Sequence, residues 1–122
     1  MISNAVQREP LRAAQMQGPG ELILKSERDG DVHTIQLFGE LDLTTTAELE
    51  RALARVESDR VEELVLDLSG LTFIDSTGIA FLLAADRRSR PDTHRLTLRR
   101  GPAAVHRVFE LCAVDALLPF ED

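Results

Sequence analysis

The densest concentration of side chains able to do chemistry is Asp67-Leu68-Ser69-Gly70-Leu71-Thr72-Phe73-Ile74-Asp75-Ser76-Thr77-Gly78-Ile79, where hydroxyls and carboxylates alternate with apolar residues. An apolar run followed by Asp-Ser-Thr-Gly and more apolar residues reads as a buried strand leading through a turn into a helix start. Such a start exposes backbone amides and the positive end of the helix dipole, which together welcome a carboxylate or a phosphate. Asp75 suits the cap, which leaves the Ser76 hydroxyl in the first turn directed toward solvent, with Thr77 beside it. On residue types alone this is first of all a capped helix start. A site for a carboxylate or a phosphate is the sharper reading. Gly78 permits the close approach of another stretch of backbone.

Enzymatic readings of the same stretch fail on residue types. A hydrolase elbow needs Gly-x-Ser-x-Gly, and Ile74 stands where the first glycine belongs. An aspartic protease needs Asp-Ser-Gly or Asp-Thr-Gly, which Thr77 interrupts. A phosphate-accepting Asp67 or Asp75 would call for clustered acids after the first strand and a late lysine, but Lys25 is the only lysine. Neither GxGxxG nor GxxxxGK[ST] occurs, so no nucleotide loop and no cofactor are expected. His33, His94 and His106 share no ligand spacing, and the single Cys112 allows neither an internal disulfide nor a Cys/His zinc pattern. We therefore expect no catalytic residue, no metal and a buried, structural Cys112.

The elements that must position this stretch follow from periodicity. Leu22-Ile23-Leu24 and Val32 to Leu41 flank Asp29-Gly30, a pair suited to a tight hairpin turn between two strands. Thr44, Thr45 or Thr46 is placed to cap a helix whose inward face carries Leu49, Ala52, Leu53 and Val56. Glu63 to Leu68 suits a central strand covered by helices, with Leu64, Leu66 and Leu68 in it. The helix opened by Asp75-Ser76 turns Ile79, Leu82 and Leu83 inward. Arg95 to Arg99 alternates as a half-exposed strand does. Gly101-Pro102 starts a third helix with proline in its first turn and Val105, Val108, Phe109 and Cys112 as its buried stripe. The order strand, strand, helix, strand, helix, strand, helix implies an α/β sheet with right-handed crossovers and one face mainly covered.

The 122 residues suit one domain, since domains typically hold roughly 100 to 150 residues. Residues 1–20 close on Gly18-Pro19-Gly20 without periodicity and read as a mobile arm, leaving 21–122 as the domain. No run approaches the roughly 20 apolar residues of a membrane span, and the first residues lack a secretory pattern, so a cytoplasmic location is expected. The net charge of −7 opposes nucleic-acid binding. Between Asp86 and Arg107, however, seven arginines face two acids, which reads as a solvated helix end and strand edge or as a docking surface for an acidic partner.

Two motifs, Gly39-Glu40-Leu41-Asp42 and Asp67 to Ile79 as quoted above, resemble the STAS domain family and, within it, the anti-sigma factor antagonists of bacterial partner switching. The likeness runs from about Glu21 to Phe120. It implies a single STAS-like α/β domain with a mixed β-sheet of four to five strands and helices mainly on one face. It also implies a non-enzyme that binds an anti-sigma factor serine kinase and so indirectly frees a sigma factor. By resemblance Ser76 is the serine that the kinase phosphorylates to switch binding off, and a serine phosphatase resets it. Asp42, Asp75, Ser76, Thr77 and Gly78 form the partner-binding surface, with Asp42 meeting the kinase. The alternative is a STAS adaptor subunit of a signalling scaffold or lipid-transport complex, without phosphorylation. Family members often continue into a further helix, where this sequence reaches Asp122 soon after Ala116 to Phe120.

Overall fold

The computed structural model describes residues 21–59, 61–90 and 95–121, so the expected arm at 1–20 and His94 lie outside the described residues. Its elements are β1 (Leu22–Asp29), β2 (Val32–Leu41), α1 (Thr46–Glu57), β3 (Glu63–Ile74), α2 (Ser76–Ser89), β4 (Arg95–Arg99), α3 (Ala103–Leu111) and a 3-10 turn (Asp115–Leu117). The strands form one mixed sheet in chain order: β1 pairs antiparallel with β2, while β2–β3 and β3–β4 are parallel. The element order is the one that periodicity implies.

Alternation divides the sheet into two faces. Ile35 and Leu37 of β2, Leu64, Leu66 and Leu68 of β3, and Leu96 and Leu98 of β4 join Leu49 and Leu53 of α1, Ile79 and Leu82 of α2, and Val105 and Phe109 of α3 in one apolar cluster. All three helices therefore share one face. Residues of the other parity, among them Thr34, Gln36, Glu63, Asp67, Thr97 and Arg99, lie on the uncovered face. There the Phe38 ring lies over Gly70, where a Cβ would collide with it, and Lys25 Nζ sits 5.2 Å from the ring centroid.

Several local expectations shift. The hairpin loop is Gly30-Asp31, because Asp29 still pairs with Val32 and Gly30 takes the positive φ of 63° that the turn requires. β3 runs six residues beyond the expected Leu68, since Leu71 and Ile74 pair with Gly39 and Leu41 and are buried, the register shifts beside Phe38 and Gly39 absorbing the irregularity. Pro102 is the residue before α3, its carbonyl accepting from Val105 N and His106 N, so the helix begins one residue later than expected. Leu83 is half-buried against the core.

Cys112 is the clearest correction: it is exposed. The helix ends at Leu111, and Ala113 then takes a φ of 59°, which turns the chain so that Val114 rather than Cys112 packs against the core. The linear surplus of arginines is also dispersed in space. Arg88 pairs with Glu57 at 3.8 Å, Arg90 with Asp86 at 2.7 Å, Arg95 with Glu63 at 3.3 Å, and Arg99 with Asp67 at 3.7 Å and Glu121 at 3.0 Å. The arginines of these pairs are exposed although Asp67 and Asp86 are buried, and pairs so open to water neutralise the surface more than they stabilise it. Past α3 the chain returns to β4, where Leu98 N donates to Pro119 O at 3.0 Å and Glu121 N donates to Leu98 O at 2.9 Å.

Candidate functional site

The two sequence motifs meet at one end of the sheet. Leu41 of β2 is paired with Ile74 of β3, so Asp42 and Asp75 leave the sheet as neighbours. Asp75 N donates to Leu41 O at 3.3 Å, and the Asp75 carboxylate Oδ1 accepts from Gly78 N at 3.0 Å, closing the first turn of α2. Gly78 is buried, and a Cβ there would stand 2.7 Å from Leu41 O and 2.9 Å from Ile74 Cγ1. The absent side chain is what lets the helix start seat directly on the end of β2.

The loop between β2 and α1 is tied to itself. Asp42 is only 8% exposed, and its Oδ1 accepts from Thr44 N at 2.9 Å and from Thr44 Oγ1 at 2.8 Å. Its carbonyl accepts from Thr45 N and Thr46 N, both at 3.1 Å. Thr45 precedes the helix, yet its hydroxyl caps nothing: it donates to Glu40 O at 2.8 Å and accepts from Asp42 N at 3.0 Å. This corrects the expected hydroxyl cap, because an asparagine-like turn closed by Asp42 presents the threonine with nearer, buried partners upstream. Asp42, which the resemblance sends to a kinase, thus has an internal task in holding the loop.

Ser76 and Leu43 are among the exposed side chains at this end, with Thr44 of the same loop and Phe73, 47% exposed, near the end of β3. Ser76 is exposed and its hydroxyl has no hydrogen-bond partner among the described residues, while Thr77 is half-buried beside it. Leu43 is 72% exposed. Sequence reasoning passed over Leu43, although one apolar residue between an aspartate and three threonines was the available signal.

Residues 24–119 match the family model described as Mlab, STAS domain. The chain belongs to the STAS domain family. Over 100 residues it is 33% identical to the anti-sigma-F factor antagonist RsfB of Mycobacterium tuberculosis, covering 82% of this chain and 81% of that protein. An anti-sigma-B factor antagonist of Staphylococcus aureus is 23% identical over 86 residues, 70% of this chain and 80% of the relative. Among solved structures, an anti-sigma factor antagonist from Mycobacterium paratuberculosis superposes with a TM-score of 0.72 at 27% identity, covering 84% of this chain and 87% of that one. The mixed sheet and helices read from periodicity are the STAS fold, and this STAS domain has, among its described residues, no helix long and apolar enough to cross a membrane.

Two further groupings in this STAS domain were not visible in the sequence. His106, Glu110 and Asp115 bring possible ligand atoms within 4.8 Å of one another. Arg100 Nη1, however, stands 2.6 Å from His106 Nε2. A guanidinium only donates, so Nε2 accepts from it and the ring proton sits on Nδ1, which is buried and unpartnered. Neither ring nitrogen then offers a free lone pair, which opposes a cation. The second grouping is a depression lined by Asp67, Ser69, Arg99, Arg100 and Glu121, whose two acids and two arginines balance in charge. Far from Ser76 in the fold, at the start of β2, burial together with the Arg28 guanidinium holds the His33 imidazole below its ordinary pKa, with Asp59 acting the other way.

Proposed function

We propose that this chain is an anti-sigma factor antagonist: unmodified, it binds an anti-sigma factor serine kinase and so frees a sigma factor, and phosphorylation of Ser76 switches that binding off. The observation that carries the reading is the division of labour between adjacent residues. Asp75 caps α2, which leaves the Ser76 hydroxyl exposed and unengaged. The names of the relatives support the same class, that of regulatory binding proteins and not enzymes. The kinase brings ATP and the catalytic groups, and this chain supplies a reachable hydroxyl at a cytoplasmic site of action. A serine phosphatase restores the binding form.

A phosphoserine adds roughly −1.5 to −2 charges, which the positive end of α2 accommodates within the free protein. Against an acidic group of the partner at about 5 Å and an effective dielectric near 20, one pair of unit charges costs roughly 3 kcal/mol. Each ~1.4 kcal/mol is tenfold, so release by about a hundredfold needs no refolding.

The test is incubation with ATP and the small ATP-binding kinases encoded in the same genome, followed by phosphosite mapping. One phosphate at Ser76 is expected, lost in Ser76→Ala and kept in Thr77→Ala. Transfer to Thr77 instead would overturn the assignment. If no kinase modifies or binds the protein, the adaptor reading, without phosphorylation, takes its place.

A further inference from the structure

We infer that Leu43 is the apolar anchor of the partner interface, fitting a partner that offers an apolar pocket beside the group facing Ser76; this rests on the antagonist reading above. Because Leu41 and Ile74 are paired, the segments Asp42-Leu43 and Asp75-Ser76 leave the same sheet end side by side. A partner surface that closes on the Ser76 hydroxyl therefore covers the Asp42 to Thr45 loop as well.

That loop holds Leu43 outward on a fixed backbone, while the exposed Thr44 turns its hydroxyl back to Asp42. Asp42 is buried, Thr44 is bound to the Asp42 carboxylate through both its amide and its hydroxyl, and Thr45 is 2% exposed and bound to Glu40 O. Leu43, the large apolar side chain of the loop, is left 72% exposed. Fixing the backbone on both sides removes most of the ordering cost that a flexible loop would incur on binding, which is what makes a residue an efficient anchor. An apolar side chain that passes from solvent into a partner's pocket contributes through the surface it removes from water, so its truncation is felt. In the free protein the same side chain contributes little, since it touches solvent over most of its surface.

The interface and the acceptor are separable. Leu43 adds affinity whether or not Ser76 is phosphorylated, whereas Ser76 decides whether the affinity is realised. Leu43 is thus a specificity residue: a partner without the pocket is refused before phosphorylation matters.

The experiment titrates the purified anti-sigma kinases of the same genome, with a non-hydrolysable ATP analogue, against the full chain and three variants by calorimetry. Leu43→Ala is expected to weaken binding about tenfold to a hundredfold. Leu43→Met should stay within a few-fold, and the equally exposed Leu111→Ala (75% exposed) should bind as the parent does. Thermal melts of all variants should coincide, which separates lost contact from lost fold. Unchanged binding by Leu43→Ala, with the parent binding normally, overturns the anchor and leaves the antagonist reading intact. A fall in melting temperature that accounts for the whole effect also overturns it. Failure of the parent to bind any of these kinases overturns both.

Discussion

Two helices start side by side at the same end of this sheet and use their polar residues in opposite ways. Before α1, the hydroxyl of Thr45 turns back to Glu40 O and Asp42 N, so the loop is stapled and the helix start goes without a side-chain cap. Before α2, the carboxylate of Asp75 goes forward to Gly78 N, so the helix is capped and the next hydroxyl is free. The residue types at the two starts are alike. The difference is which neighbour each polar atom reaches first, and it decides that one start is scaffold and the other is display.

Thr45→Val breaks the scaffold side and should have the largest effect. It keeps the shape but leaves the buried Asp42 N and the half-buried Glu40 O without their partner, at a cost of about 1–3 kcal/mol by chemical denaturation. If the loop is merely covering and not stapled, the loss will fall below ~0.5 kcal/mol. Asp75→Ala tests the capping side. The expected loss is about 1 kcal/mol, the usual consequence of removing a cap, and Asp75→Asn should recover most of it. Smallest is Ser76→Ala, which should change stability by under ~0.5 kcal/mol, as an exposed side chain outside any hydrogen bond should. A Ser76→Ala loss as large as that of Asp75→Ala would mean that the hydroxyl shares the capping, and the contrast between the starts would dissolve.

Much of this was legible in the sequence because apolar periodicity is a signal about burial. The stripe Leu49, Ala52, Leu53 and Val56 faces the core as read, as do Leu64, Leu66 and Leu68. The cap at Asp75 and the exposure of Ser76 were also legible, since both depend on residues within three positions of each other. What escaped depends on longer reach or on how an element ends. The threonine hydroxyls look alike in sequence, and only the closure of the loop by Asp42 selects partners for Thr45. Cys112 continues the stripe of α3 by spacing, yet the helix stops one residue earlier and the turn at Ala113 delivers Val114 to the core instead. The arginine surplus is offset in part for the same reason: Glu57, Glu63, Asp67 and Glu121, distant in the chain from Arg88, Arg95 and Arg99, pair with them in space.

The return of the chain to β4 has a consequence for how copies of the molecule meet at high concentration. Unpaired main-chain groups along the flank of a sheet are a template for strands from other molecules, and hence a route to aggregation. Leu98 has its amide and carbonyl occupied by Pro119 and Glu121, so the β4 flank is sealed at its middle by the molecule's own chain. Along β1, by contrast, Ser26 and Arg28 stand exposed at the other margin of the sheet, where an arginine discourages a second strand from lying flat. One margin is closed by backbone and the other guarded by charge, so the resistance of the protein to strand addition rests on a few residues.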